Sequence, residues 1–92
     1  MNKFLAVISH KDGHTLDMLA IEILTHLRAT PGRKDARLME GAILFSGKEP
    51  PLHIYTALAT YSDHLGGKLV VLQLHDEFEG DPFPGMTEVF RS

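Results

Sequence analysis

Three short apolar runs, separated by two segments of helical length, constrain the fold of this chain more than any other feature of its sequence. The runs cover residues 4–8, 42–45 and 69–74. They are short for helices and lack the regular polar alternation of strands that face water on one side. Runs of this kind are typical of strands that are covered on both faces of a sheet.

Helical periodicity fills the intervals between these runs. Apolar residues recur at spacings of three and four from Leu16 to Leu27, and Pro31-Gly32 prevents the helix from continuing beyond Ala29. The charged residues that follow, Arg33-Lys34-Asp35, are typical of a solvated linker. The second predicted helix begins at Pro50-Pro51 and ends at Gly66-Gly67. The order of elements is therefore strand, helix, strand, helix, strand, followed by a turn-rich tail.

This order predicts an α/β fold with a three-stranded parallel sheet of strand order 2-1-3, on which the helices pack in the doubly wound manner. One alternative stays open at this point. If residues 37–46 form a hairpin, the same elements give an α+β arrangement of the ferredoxin-like type. In the tail, only 87–90 has the pattern of a further short element.

Length and composition indicate one globular domain spanning 1–92, because a chain of 92 residues with 43% apolar and 23% charged residues forms a single modest core. The formal net charge of −3 gives little support for a nucleic-acid interface. The chain has no cysteine, which excludes disulfides and thiolate chemistry. No apolar run approaches the ~20 residues of a membrane span. We therefore expect a cytoplasmic protein.

Two polar pairs stand where predicted strands leave the sheet. Ser9-His10 follows the first strand, and His75-Asp76 follows the third. In a doubly wound sheet the cleft opens at the carboxyl ends of strands where the strand order reverses. We therefore expect His10 and Asp76 to face each other and to act as general base, nucleophile or phosphoryl acceptor. Polar residues also occur at strand ends simply because the chain emerges into water there.

A metal site is a weaker interpretation of the same region. His10, Asp12 and His14 lie within one turn, with His75 nearby, and could supply nitrogen and oxygen ligands for a metal-assisted hydrolase. No HExxH pattern supports this interpretation, and neither a P-loop nor a GxGxxG sequence is present to bind a nucleotide. The sequence therefore predicts no bound metal and no cofactor.

Two segments resemble the mannose-type IIA domains of the bacterial sugar phosphotransferase system and the related phosphocarrier domain of dihydroxyacetone kinases. One is the strand running into histidine, 5–10, and the other is the strand and loop 71–83. Phe45-Ser46-Gly47 also has a counterpart in that family. The resemblance covers only the first two thirds of the usual domain. It implies the parallel fold and a set of site residues, namely a phosphorylated His10, an active-site Asp76, and the binding residues Ser9, Ser46, Phe78, Gly80 and Pro82.

The resemblance implies a phosphohistidine carrier. His10 would take a phosphoryl group from a phosphocarrier protein and pass it to a second protein. Glu79 and Asp81, however, place negative charge where the phosphoryl group would lie, and Lys11 replaces the glycine that normally follows the histidine. Because these departures oppose phosphorylation, an alternative function stays open, a non-catalytic regulatory or protein-binding module that contacts a basic partner through its acidic loop, 76–81.

Self-association is expected with either function. The predicted sheet has an open edge, and the tail carries three phenylalanines that either cover the core or meet another chain, Phe78, Phe83 and Phe90. A homodimer is therefore a further expectation.

Overall fold

A computed structural model describes residues 2–33, 35–39, 41–75, 80–81 and 86–91. Within these residues the chain forms four strands and three helices. They are, in order, β1 Asn2–Ser9, α1 Gly13–Ala29, β2 Arg37–Met39, β3 Ala42–Gly47, α2 Pro51–Leu65, β4 Lys68–Leu74 and α3 Met86–Arg91.

The sheet is four-stranded and antiparallel throughout, with the order β2-β3-β1-β4. The predicted three-stranded parallel sheet of order 2-1-3 is therefore wrong. The physical reason is the hairpin of β2 and β3, whose turn contains Gly41 at a φ of +71°, a conformation that favours glycine. After α1 the chain runs through β2 and turns back at Gly41 into β3. β3 therefore runs antiparallel to β1 and pairs with it.

The connection from β1 through α1 reaches β2, and β3 lies between these two strands. Because β2 and β1 are each antiparallel to β3, they are parallel to one another without being neighbours. This is the split βαβ arrangement of ferredoxin-like topology. The hairpin alternative, and not the doubly wound sheet, thus describes the chain.

One face of the sheet carries the core, against which α1 and α2 pack. Phe4 and Phe45 are fully buried at its centre, with their rings stacked at a centroid distance of 5.5 Å. The remaining core side chains come from β1, β3 and β4 and from both long helices. They include Ala6, Ile8, Leu19, Ile23, Leu27, Ile43, Ile54, Leu58 and Leu69. Burial of these side chains is the main source of stability.

Local interactions account for the termini of both long helices. The carboxylate of Asp12 accepts the Thr15 N–H at the start of α1. Pro51 occupies the first turn of α2, and Gly66 adopts a left-handed φ of +76° at its end. The ends of α1 at Ala29 and of α2 before Gly66 agree with the positions that the sequence predicted. No helix in the described part of the chain is long and apolar enough to cross a membrane.

The opposite face of the sheet, called the open face here, is covered unevenly. Leu44 of β3 lies on this face, yet it is 1% exposed, because α3 packs against β3 with Val89 buried. On the other half of the face, Val7 of β1 and Val70 and Leu72 of β4 are 37%, 53% and 45% exposed. We call these three residues the apolar strip.

Candidate functional site

His10 follows β1 directly and lies beside the carboxyl end of α2. Its neighbours around a shallow cleft are Ser9, Lys11, Gly66 and Lys68. Antiparallel pairing places Ser9 opposite Lys68, the first residue of β4. The start of β4, and not its end, therefore adjoins His10.

Both ring nitrogens of His10 are engaged. Nε2 lies 2.9 Å from the carbonyl oxygen of Leu65, which only accepts hydrogen bonds, so Nε2 carries the proton and donates. Nδ1 accepts the main-chain N–H of Asp12 at 2.9 Å. The imidazole thus satisfies a carbonyl at the end of α2 and holds the N-cap residue of α1. In this geometry neither nitrogen offers a lone pair to a phosphoryl group, and His10 joins the two helix ends.

The Asp12 carboxylate is held at the start of α1 by Thr15. Its Oδ2 accepts from the Thr15 hydroxyl at 2.6 Å and from the Thr15 N–H at 2.9 Å. These hydrogen bonds, with smaller contributions from the nearby His10 and His14 rings, hold the pKa of Asp12 below its ordinary value of 3.8. The carboxylate is therefore used for capping.

We expect Asp12→Ala to lower the thermal unfolding temperature at neutral pH, because the Thr15 N–H loses its acceptor. The folded-state pKa of Asp12 lies below 3.8, so its ionised form stabilises the fold fully above that pH. This contribution is lost as the pH falls through the lower folded-state value. Thermal unfolding followed by circular dichroism from about pH 2 to about pH 7 measures the effect.

Asp12→Asn is the matched control, because asparagine keeps a capping oxygen without a titratable group. The variant should lack the part of the acid-induced destabilisation that belongs to Asp12. Identical pH profiles for the wild type and Asp12→Asn would contradict the capping role of the ionised carboxylate.

The predicted pairing of His10 with Asp76 rested on parallel strands, and the antiparallel sheet removes that basis. β4 ends with Leu74 opposite Lys3, six residues along β1 from Ser9, which corresponds to about 20 Å. His75 lies in a cleft with Asn2 at this far end. Asp76 itself lies outside the described residues, as do Phe78 and Pro82.

The other predicted binding residues are dispersed. Ser9 is exposed beside His10. Ser46 is buried and pairs with Lys3, at the end of β1 that is remote from His10. Gly80 is exposed, with open space around its Cα atom. Of the predicted residues that the structure describes, only Ser9 and His10 lie together.

The proposed metal ligands do not form a site. Among residues 2–33, 35–39, 41–75, 80–81 and 86–91, no three His, Asp or Glu side chains are grouped so that they could hold a metal ion. Asp12 uses its carboxylate on Thr15, and His10 uses both nitrogens as described above. The short spacing of His10, Asp12 and His14 in the sequence therefore does not become a ligand cluster.

The burial of Arg33 was not predicted from the sequence, which assigned this residue to a solvated linker. The Arg33 side chain is buried, lies with its Cζ 5.6 Å from the centroid of the Phe45 ring, and donates to the Glu49 carboxylate. Burial lowers the pKa of its guanidinium. An added Cβ at Gly47 would lie 2.7 Å from Nη2 of Arg33, so the glycine makes room for this side chain. The arrangement links the loop after α1 to the end of β3.

The apolar strip is the second feature that was missed. Val7 lies opposite Val70, and Leu72 lies opposite the half-buried Leu5, so the exposed side chains form a continuous surface across β1 and β4. Both faces of β4 are apolar in sequence, which predicted burial on both faces. The structure instead places β4 at an edge of the sheet, with Val70 and Leu72 about half exposed on one face.

No known family, curated protein or solved structure shows significant similarity to this chain. The likeness to mannose-type IIA domains therefore depends on its two short segments alone, and the parallel sheet that it implied is not the sheet observed.

Proposed function

We propose that this chain is a non-catalytic protein-binding module that associates with a second copy of itself through the apolar strip and the β4 edge. The exposure of Val70 and Leu72, at 53% and 45%, on an edge strand of the sheet carries the proposal. It keeps the functional class of the alternative drawn from the sequence. The binding surface differs, because most of the acidic loop of that alternative, 76–81, lies outside the described residues.

The state of His10 supports the non-catalytic part of the proposal. A phosphohistidine carrier needs an exposed ring nitrogen with a free lone pair, whereas Nδ1 accepts the Asp12 N–H and Nε2 donates to the Leu65 carbonyl. The local structure gives the residue a positioning role that requires no chemistry. Phosphotransfer stays a prediction from the resemblance.

The uncovered apolar surface supports the binding part. Burying the exposed half of one valine or leucine contributes about 1 kcal/mol, so Val70 and Leu72 of two copies would contribute at most about 4 kcal/mol. Val7 lies on β1, one strand away from the β4 edge. Association costs ~4–15 kcal/mol in lost freedom of motion. The strip therefore needs additional contacts. The outer edge of β4, with which no described strand pairs, offers main-chain hydrogen bonds beside it.

A second copy fits this surface better than a charged partner does. The only charged residue of β4 is Lys68, at one end of the strand. Two β4 strands can therefore pair without placing like charges next to each other along most of their length. The formal net charge of −3 is small for a chain of this size and opposes self-association only weakly.

Sedimentation equilibrium tests this proposal. We expect the wild type to sediment at twice the 10.2 kDa of one chain. The double variant Val70→Glu/Leu72→Glu should be monomeric, with a dissociation constant raised about 100-fold or more, since it places carboxylates in an apolar contact. Circular dichroism checks that the variant remains folded.

The chain offers a matched control on another surface. Met18 and Ile21 of α1 are 42% and 59% exposed, comparable with the residues of the strip. The variant Met18→Glu/Ile21→Glu should remain dimeric. A monomeric wild type, or a dimer that survives the β4 substitutions, would contradict the proposed surface. Acid-labile phosphate on His10 after incubation with a phosphohistidine donor protein would contradict the non-catalytic assignment.

A further inference from the structure

We infer that two copies pair edge to edge through β4, antiparallel about a two-fold axis at Val71, so that two four-stranded sheets become one sheet of eight strands. The inference rests on the proposed function, because it specifies how the second copy binds. It concerns the register of the interface, which the apolar strip alone does not determine.

β4 is the longer of the two sheet edges. It spans seven residues, Lys68–Leu74, whereas β2 at the opposite edge spans three, Arg37–Met39. Within the described ranges, no strand pairs with the outer side of β4. Its outward N–H and C=O groups therefore present a row of hydrogen-bonding sites that another strand can satisfy.

Symmetry limits the possible registers. A two-fold axis perpendicular to the sheet keeps each residue on its own face, so opposed residues must be separated by an even number of positions. An axis at Val71 opposes all seven residues of β4. An axis moved by one residue to Val70 or Leu72 opposes only five, since two residues of each strand then extend beyond its partner.

The Val71 register also places the side chains favourably. It sets Lys68 opposite the second copy's Leu74, so the two ammonium groups lie at opposite ends of the paired strands. It sets Val70 opposite the second copy's Leu72, so that the four most exposed apolar side chains of the two strands meet on the open face. The Val70 register would instead place Lys68 against Leu72, with a charge on the apolar strip.

Disulfide trapping tests the register, since the chain has no cysteine of its own. Opposed residues of antiparallel strands have Cα atoms about 4.5–5.5 Å apart, within the ~7 Å that a disulfide allows. Val71→Cys should therefore form a covalent homodimer under mild oxidation. A mixture of Val70→Cys and Leu72→Cys should form a covalent dimer containing one chain of each.

Val70→Cys alone is the matched control. In the Val71 register, position 70 of one copy lies two positions along the strand from position 70 of the second copy. The Cα atoms of the two substituted residues are therefore about 8 Å apart. We expect it to cross-link at least tenfold more slowly than Val71→Cys. Fastest cross-linking by Val70→Cys alone, or by Leu72→Cys alone, would move the axis and overturn the inference.

Sedimentation of the reduced variants separates failure of the register from failure of the proposed function. If the variants are folded dimers that do not cross-link, the copies associate in another geometry, and the inference is overturned while the proposed function stands. If the wild type is monomeric, both are overturned. Hydrogen exchange gives a second measurement, since edge pairing should slow exchange of alternate β4 amides as protein concentration rises.

Discussion

Replacing Phe45 with alanine should lower the free energy of unfolding by about 3–5 kcal/mol. The side chain is fully buried, stacks on Phe4, and packs beneath the Arg33 guanidinium. Its removal leaves a cavity in the centre of the core and also takes away the aromatic surface on which a buried cation rests. A chain of this length has roughly 5–14 kcal/mol of stability in total, so the variant should be close to unfolding.

Urea denaturation followed by circular dichroism measures this loss. Leu52→Ala is the control, because Leu52 is 69% exposed on α2 and its truncation should change stability by no more than about 0.5 kcal/mol. Phe45→Leu should fall between the two, since it retains part of the buried volume. Equal stability of the Phe45→Ala variant and the wild type would show that the sheet and helices do not pack around this ring.

Gly67→Ala should cost about 1–3 kcal/mol through crowding in the link between α2 and β4. A Cβ atom at this position would lie 2.8 Å from Cδ2 of the buried Leu19 and 3.1 Å from the carbonyl oxygen of Ser9. The Leu19 side chain has little room to move, because it is fully buried in the packed core. The carbonyl belongs to the central strand β1, so relief of the second contact requires a movement of main chain.

Gly13→Ala provides the comparison for this prediction. A Cβ at Gly13 meets nothing within 4 Å, and the residue begins α1, so alanine there should leave stability unchanged or raise it by up to about 1 kcal/mol. Thermal and urea unfolding of the two variants under the same conditions would show the difference. Matching transitions would contradict the close approach of Gly67 to β1.

The sequence predicted the local elements better than their arrangement. Helical periodicity and the Pro and Gly signals placed α1 and α2 within a few residues of their observed bounds. Strand pairing could not be read in the same way, because a strand, helix, strand order suits both a classical parallel crossover and a split one. The deciding element, β2, has only three residues, Arg37–Met39, and its weak apolar pattern carried little information.

The predicted site lost its structural basis for a related reason. The expected contact of His10 with Asp76 followed from parallel strand direction, and the antiparallel pairing of β1 with β4 removes that argument. The observed partners of His10 are the Leu65 carbonyl and the Asp12 N–H, and main-chain groups have no signature in a sequence. Arg33 was assigned to solvent because charged residues beside Pro31-Gly32 are usually exposed, and burial against Phe45 requires the tertiary fold.

The position of β1 has a consequence for how this protein is made. β1 leaves the ribosome before β2, β3 and β4, yet it occupies the interior of the sheet between β3 and β4, with register partners such as Leu72 for Leu5 far along the chain. Contacts of such long sequence separation form slowly. Until β4 has been synthesised, the nascent chain exposes one side of an apolar strand, and this interval is when binding by a chaperone would protect it most.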